Sequence, residues 1–214
     1  MTQMTSTLNP LRRLSPVSRQ RFTLIAIALV FVAPMAIAWL LLARPDWRPA
    51  YTVNHGTLVQ PPRPLAGLGL HGVDGSSLGP HYLQGKWTLV YVGHGRCEKI
   101  CQRQLYNTRQ VRLAQGKNIG RVQRLMILTD AGGTAALRSI RAQHPDLTIA
   151  APVAADRAAV LNRFAIDGAG DPGTAGRVYV VDPLGNLMMT YGANADPSGM
   201  LKDLERLLKV SYVG

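Results

Sequence analysis

The longest apolar run of the chain lies near its N-terminus. Every residue from Phe22 to Ala43 is uncharged, and the run is long enough to cross the roughly 30 Å hydrocarbon core of a bilayer as a helix. A cleaved signal peptide ending at Ala36-Ile37-Ala38 is the alternative, because that tripeptide has the small-x-small pattern of a cleavage site. The apolar run continues beyond it, which favours an uncleaved anchor. We therefore predict one N-terminal transmembrane helix.

The composition changes after this run. Residues 44–66 are rich in proline and predict a semi-extended linker. The chain then divides into a basic cytoplasmic tail (1–21), a transmembrane anchor (22–43), the linker (44–66) and one folded domain (67–214).

Within the folded domain, β-rich apolar runs alternate with helical patterns. The first run, Trp87 to Val92, precedes an Arg-rich helix predicted over 98–115. Two further strand–helix pairs follow, with strands at 125–128 and 147–150 and helices at 135–143 and 156–164. The order predicts strands in the interior of a sheet and helices packed against it.

A hairpin and a last helix complete the pattern. Strands at 178–181 and 187–190 flank the turn sequence Asp182-Pro183-Leu184-Gly185-Asn186. Asp196 followed by Pro197 is a favourable helix start. The resulting order, β-α-β-α-β-α-β-β-α, predicts an α/β fold in which a mixed sheet is flanked by helices on both faces.

Charge predicts the orientation and the partners of the chain. It has 24 Lys and Arg against 12 Asp and Glu, a net charge of +12. Basic residues and no acidic ones precede the anchor, which places the N-terminus in the cytoplasm and the domain across the inner (cytoplasmic) membrane, in the periplasm of a bacterium. The remaining positive charge fits the membrane or an acidic protein. No aromatic-plus-basic recognition motif accompanies it, so we predict no nucleic-acid partner.

The two cysteines form a Cys-x3-Cys pair at the predicted start of the Arg-rich helix. Unpaired N–H groups and the helix dipole stabilise a thiolate there, and Arg96, Lys99 and Arg103 add positive charge. A thiolate attacks disulfides and also binds Cu(I). A structural disulfide is the alternative, although closing so short a loop adds little stability. We expect Cys97, nearer the helix start and more exposed, to be the nucleophile and Cys101 the resolving thiol.

Two segments carry a family resemblance. The run GKWTLVYVGHGRCEKIC (85–101) and the later VYVVDPLGNLMMTYG (178–192) resemble the Sco (SenC) family of thioredoxin-fold proteins, over roughly residues 60–210. The resemblance implies a thioredoxin-like domain that binds copper and helps to assemble the dinuclear copper centre of cytochrome c oxidase. In that family a cysteine pair, here Cys97 and Cys101, and a distant histidine hold the metal.

The chain departs from that family at the histidine. The loop from Ile166 to Gly176 contains none, and Thr174 occupies about the expected position. Glu98 and Gln102 replace the prolines that usually follow each cysteine. His94 is the candidate replacement ligand for copper, because it lies three residues before Cys97 and a neutral imidazole suits that metal.

Other residues that could carry chemistry receive weaker interpretations. Met188 and Met189 are soft thioethers, but on a buried strand they are core filler and only one can face the site. We assign no function to the histidines that lie elsewhere, His55, His71, His81 and His144. The Gly-rich loop lacks the Lys-Ser/Thr of a phosphate loop, so we predict a mobile lid near the cysteines instead of a nucleotide site. No serine-type triad or carboxylate pair indicates hydrolysis.

Three functions therefore remain open. The first is an accessory factor in cytochrome c oxidase assembly that passes copper, Cu(I), or keeps target cysteines reduced. The second is a membrane-anchored thiol–disulfide oxidoreductase with Cys97 and Cys101 as the catalytic pair. The third is a scaffold that has lost the chemistry. The predicted partners are the membrane and an oxidase subunit or another assembly factor, and the sequence leaves open the oligomeric state and whether the protein is an enzyme.

Overall fold

A computed structural model describes residues 16–44, 53–130 and 134–211 of the chain. The chain forms two compact units, Met1–Thr52 and Val53–Gly214. The described residues of the first form the helix α1 (Pro16–Ala43). Within it, Gln20–Ala43 is long and apolar enough to cross a membrane, and none of its most apolar stretch is buried in protein. Residues 1–15 of the predicted cytoplasmic tail (1–21) lie outside the described residues. Residues 16–21 form the beginning of α1.

The second unit is built on a seven-stranded mixed sheet. The strands lie in the order β1-β7-β6-β3-β4-β5-β2. They are β1 (Thr57–Pro64), β2 (Leu70–Gly72), β3 (Trp87–Gly93), β4 (Val122–Leu128), β5 (Leu147–Pro152), β6 (Val178–Val181) and β7 (Asn186–Tyr191). β3, β4 and β5 are parallel neighbours, and the other pairings are antiparallel. This mixed sheet confirms the predicted α/β fold.

Four α-helices complete the second unit. They are α2 (Lys99–Leu113), α3 (Thr134–Gln143), α4 (Arg157–Arg163) and α5 (Pro197–Val210), with short 3-10 helices at Gly116–Arg121 and Ala154–Asp156. α5 begins as the sequence predicts, since Asp196 accepts a hydrogen bond from the backbone N–H of Ser198 and Pro197 holds the first helical position.

Both faces of the sheet are covered. Successive residues of β3 alternate between two apolar clusters, as a strand in the interior of a sheet requires. Leu89 and Tyr91 pack with side chains of α2, α3 and α5, whereas Val90 and Val92 pack with those of α4 and the segment before β3. All seven residues of β3 are buried. The first face carries both cysteines.

Part of the predicted linker belongs to the sheet. β1 pairs antiparallel with β7, with Thr57 opposite Thr190 and Pro64 opposite Asn186. Proline has no N–H to donate, but an edge strand needs ladder hydrogen bonds on one side only. The proline-rich composition therefore fits a sheet edge as well as a spacer, and the structure corrects the linker prediction for these residues. Positions 45–52 of that prediction lie outside the described residues.

The parallel pairing of β3 and β4 positions the site. Trp87 lies opposite Val122 and Gly93 opposite Leu128, so the two strands end at the same edge of the sheet. The cysteine loop follows β3 and Asp130 follows β4. The carboxyl ends of parallel strands are the usual place for a functional site in such sheets.

Candidate functional site

The two cysteines are joined. Cys97 and Cys101 form a disulfide with their Cα atoms 5.0 Å apart. Cys97 lies in the loop before α2, and Cys101 lies in the first turn of that helix. The helix N-terminus next to the sulfurs would favour a thiolate whenever the bond is reduced.

Cys97 has an unusual backbone conformation. Its φ is +45°, and it is the one non-glycine residue with positive φ among the described residues. This left-handed region is sparsely populated by L-residues, and such strain costs about 1–3 kcal/mol. The Cys97 N–H donates to the carbonyl of His94 (3.1 Å), and the Gln102 side-chain amide donates to the carbonyl of Cys97 (3.1 Å). The loop is thus held by contacts on both sides of the strained residue.

Asp130 supports the same loop from the neighbouring strand end. Its Oδ1 accepts a hydrogen bond from the Gly95 N–H (2.7 Å), and its Oδ2 lies 3.3 Å from His94 Nδ1. The Thr129 hydroxyl also lies 3.0 Å from His94 Nδ1. These contacts fix the imidazole through Nδ1 and tie the cysteine loop to the end of β4.

A cleft of about 1100 Å³ opens above the disulfide. Both cysteines and His94 line it, together with Tyr91, Gly173 and Thr174. The exposed side chains of Arg96 and Lys99 also line it. Burial raises the pKa of Tyr91 to about 12, so its phenol stays protonated at neutral pH and can donate a hydrogen bond.

The prediction that Cys97 is the more exposed thiol is wrong. Cys97 is 3% exposed and Cys101 5% exposed, and both belong to an apolar cluster with Leu105 and Leu128. The reason is that the loop folds back onto the sheet, so the sulfurs form the floor of the cleft. A target protein therefore reaches the cysteines through this cleft and not at an open surface.

The Gly-rich loop forms the facing side of the cleft. Gly173 and Thr174 line it, which agrees with the predicted position near the cysteines; the mobility of the loop stays a prediction. Gly176 approaches α2 so closely that a Cβ there would lie 2.5 Å from Ile100 Cγ2. Buried Gln104 donates to the carbonyls of Gly176 (3.2 Å) and Ala193 (2.8 Å). The loop is therefore fastened to the cysteine helix.

The site does not fit a three-coordinate copper ion as it stands. The sulfurs are bonded to each other and offer no thiolate, and because Nδ1 contacts Thr129 and Asp130, His94 could bind a metal only through Nε2. Among the described residues, no group of three His, Cys, Asp or Glu side chains is placed to hold a metal. Thr174 lies on the cleft where the resembled family implies a histidine.

The other candidates lie away from the cleft or in the core. Met189 is buried and accepts a hydrogen bond from the Tyr191 hydroxyl (3.0 Å), and Met188 is partly buried against the same cluster. His55 contacts Asp203, and His81 contacts Gln84. These contacts agree with the interpretation of the methionines as core residues.

Sequence reasoning missed Asp130 and Gln104. Asp130 was detectable, because it follows the strand next to the cysteine strand and so shares its sheet edge. Gln104 was detectable as a polar residue one turn after Cys101 on the buried side of α2. Neither signal names the atoms that these side chains contact.

Comparisons with known proteins agree with this fold. Residues 87–211 match the family model described as "Transmembrane-like, thioredoxin-like, C-terminal domain". No curated protein sequence matches the chain.

Solved structures share the fold at low sequence identity. Copper-bound yeast Sco1 is 19% identical with a TM-score of 0.56, and the match covers 69% of this chain and 94% of the yeast chain. Apo Sco1 from Thermus thermophilus is 21% identical with a TM-score of 0.57, covering 74% and 99%. BsSco is 13% identical with a TM-score of 0.50, and the match covers 69% of this chain and 97% of the BsSco chain. Its structure is described as identifying a disulfide switch in a member of the Sco family of cytochrome c oxidase assembly proteins. The predicted resemblance to Sco proteins is confirmed at the level of the fold.

Proposed function

Because the chain belongs to the family of transmembrane-like, thioredoxin-like C-terminal domains, we propose that its cysteine pair exchanges disulfides with a partner during cytochrome c oxidase assembly. The observation that carries this proposal is the disulfide between Cys97 and Cys101 at the floor of a cleft with basic residues on its rim. A purely structural disulfide would need neither the cleft nor the strained backbone at Cys97.

The exchange transfers two electrons. In the reduced domain, the Cys97 thiolate attacks one sulfur of a target disulfide, and the other target sulfur leaves as a thiolate. The Cys101 thiolate then attacks Cys97 Sγ, which releases the second target thiolate and forms the disulfide seen here. The two thiol protons of the domain end on the target dithiol. An external dithiol reduces the domain again by the reverse steps.

Structural relatives support the assignment to oxidase assembly. BsSco is named as a cytochrome c oxidase assembly protein with a disulfide switch, and this chain shares its fold and has a disulfide of its own between Cys97 and Cys101. In this proposal the target is an oxidase subunit or another assembly factor whose cysteines must be reduced before metal arrives.

In this proposal the chemistry takes place at a membrane, as the apolar helix α1 supports. We propose that α1 is a single span with its N-terminus in the cytoplasm, and that the domain lies in the periplasm. The basic residues before the anchor support that orientation, and a periplasmic disulfide persists because that compartment is oxidising.

Trapping a mixed disulfide tests the proposal. Cys101→Ser in the full-length chain removes the resolving thiol, so Cys97 should stay bonded to its target, and the adduct should appear on non-reducing gels and vanish with dithiothreitol. Cys97→Ser is the matched control and should trap far less. Equal trapping by both variants, or by neither, contradicts the assignment of Cys97 as the nucleophile.

Copper delivery is the second candidate. It is favoured by the fold shared with copper-bound yeast Sco1, and two thiolates alone suit Cu(I). Here Cys97 and Cys101 of the reduced chain would be the ligands, with His94 as a third. The test is Cu(I) titration of the reduced full-length chain against a chromophoric competitor. One equivalent retained, and lost in Cys97→Ser, supports copper delivery. A His94→Ala variant that binds copper as the unmodified chain does excludes His94 from the ligand set.

The scaffold alternative makes a different prediction in cells. Combined Cys97→Ser and Cys101→Ser substitution should abolish oxidase assembly if either thiol function is correct. Normal oxidase activity in that variant would favour a scaffold without thiol chemistry.

A further inference from the structure

A second cavity, of about 140 Å³, also reaches Cys97. It lies between the start of α2, which contributes Gln102 and Leu105, and α3, which contributes Ala136 and Ile140. The main cleft shares Arg96, Cys97 and Gln102 with this cavity, but β3 and the Gly-rich loop line its other side. Cys97 therefore lies between two cavities, one next to the Gly-rich loop and the other next to α3.

His144 lines this second cavity. It follows the C-terminal end of α3 and is only 7% exposed. Its Nδ1 is buried and has no hydrogen-bond partner in the part of the chain that the structure describes. Buried polar atoms are nearly always hydrogen-bonded, so an exception asks for an explanation. Because Nδ1 is out of reach of water, the imidazole can exchange a proton with the cavity only through Nε2, and it shares that cavity with Cys97.

The surroundings of His144 keep the imidazole neutral. Burial lowers its pKa, and the nearby positive charges of Arg124 on β4 and Arg109 on α2 lower it further, whereas Asp146 acts in the opposite direction. Arg96 adds a positive charge at the cavity wall. A neutral imidazole at neutral pH is a proton acceptor.

Cys97 needs such an acceptor because it is 3% exposed. A target that docks in the cleft covers the sulfurs on that side and excludes water. The second cavity has room for several water molecules, since one needs only about 10–15 Å³ by this measure. The proton of Cys97 can therefore leave through the second cavity while a target fills the main cleft.

We propose that His144, through water in this cavity, accepts the proton of the Cys97 thiol when the reduced pair attacks a target disulfide. The inference rests on the proposed function. The thiol proton passes to the imidazole, and the thiolate forms the bond to the target sulfur. The target thiolate takes a proton from solvent as it leaves the cleft, and the imidazolium returns its proton to solvent through the cavity water. No charge is left behind, and His144 ends each cycle neutral.

The test is the pH dependence of exchange by the reduced full-length chain in detergent. The probe is a synthetic peptide with one internal disulfide, and the second-order rate constant is followed across the acidic to weakly alkaline range. The unmodified chain should show an inflection below the ordinary imidazole pKa. His144→Gln should lose that inflection, and at neutral pH it should react at least about tenfold more slowly than the unmodified chain. A loss of tenfold is smaller than the usual effect of a general base.

Two further variants make the result decisive. Ala136→Leu should fill the cavity while leaving the imidazole in place, and should slow exchange in the same way. His81→Gln is the matched control, because His81 is exposed and contacts Gln84, and it should react as the unmodified chain does. An unchanged pH profile in both His144→Gln and Ala136→Leu overturns the proposal. If the unmodified chain does not exchange with the peptide at all, the proposed function fails instead.

Discussion

Asp130 is the residue that ties the cysteine loop to the neighbouring strand end. Its carboxylate accepts from the Gly95 N–H and contacts His94 Nδ1. Asp130→Ala should open the loop, and the Gly95 amide should exchange about five- to tenfold faster. The reason is that a partly exposed, charge-assisted hydrogen bond contributes about 1 kcal/mol. Hydrogen–deuterium exchange with mass spectrometry measures it.

Asp74→Ala is the matched control for this experiment. Asp74 also caps a loop through its carboxylate, by accepting from the N–H and hydroxyl of Ser76, but it lies away from the cysteines. Its loss should leave Gly95 protected. Unchanged protection in Asp130→Ala would show that Asp130 does not hold the loop.

At the scale of single residues, the sequence predicts which residues form the site better than it predicts their burial and their contacts. Cys97, Cys101 and His94 line one cleft, as their spacing suggests. The contact between Gly95 and Asp130 joins residues 35 positions apart, so no local pattern contains it. The burial of Cys97 depends on side chains of several elements packing around the loop, and helix position alone does not report it.

The contact between the Gly-rich loop and α2 can be tested with paired glycines. Gly176 and Gly168 both have positive φ, at +62° and +70°. A Cβ on Gly176 meets Ile100 Cγ2 at 2.5 Å, whereas a Cβ on Gly168 meets nothing within 4 Å. Both alanine variants carry the backbone cost of about 1–2 kcal/mol, so Gly176→Ala should be less stable than Gly168→Ala by roughly a further 1–3 kcal/mol.

Pulse proteolysis in urea measures the two free energies of unfolding. Adding Ile100→Ala should recover most of the extra loss in Gly176→Ala and none in Gly168→Ala, because it removes the clashing methyl group. Equal stability of the two glycine variants would mean that the loop can move away from the helix at no cost.

Asp203 makes the docking of β1 and α5 sensitive to acid. Burial raises the pKa of Asp203. Its carboxylate also accepts hydrogen bonds from the His55 side chain, from the N–H groups of Gly56 and His55, and from the Tyr191 hydroxyl, and these lower the pKa more. The net pKa therefore lies below the ordinary aspartate value. A carboxyl whose folded pKa is depressed stabilises the fold above its unfolded pKa and loses that contribution as pH falls through the folded one.

The prediction is a loss of stability on acidification that depends on Asp203. Urea unfolding followed at several pH values should show less decline below the ordinary aspartate pKa in Asp203→Asn than in the unmodified chain. Asp203→Asn should also be less stable at neutral pH. A parallel acid decline in both proteins would place the titrating group elsewhere.

The sequence predicts those helices and strands whose own residues carry a recognisable pattern. β3, α2, the β6–β7 hairpin and α5 carry apolar periodicity or turn residues that identify them locally. β1 does not, because its prolines are equally typical of a spacer and its strand character comes from pairing with β7, more than 120 positions later. Strand formation of that kind is set by the partner strand and not by the segment alone.

On the scale of the whole molecule, we predict that positive charge near the cleft attracts an acidic partner. Nine basic residues and one acidic residue lie between Lys86 and Arg124, and Arg96 and Lys99 line the cleft. Arg96→Glu with Lys99→Glu should weaken binding of an acidic target at least tenfold at low salt, and the difference should shrink as salt screens the charges. Microscale thermophoresis of the full-length chain across salt concentrations measures both effects.

Lys86→Glu is the matched control for charge reversal. It changes net charge but lies before the amino end of β3, whereas the cleft lies beyond the carboxyl end. Binding in Lys86→Glu should stay close to that of the unmodified chain. If it falls as far as in the cleft variants, net charge and not the cleft surface attracts the target.

The proline-rich strand at the sheet margin limits how any protein can associate with this domain. β1 presents prolines where a joining strand would need N–H donors, and the opposite margin, β2, is only three residues long. Extension of the sheet by an incoming chain is disfavoured on both sides, since β-augmentation requires a row of open backbone groups. We therefore expect recognition to come from side chains and loops, and these two edges also protect the domain from polymerising through its sheet.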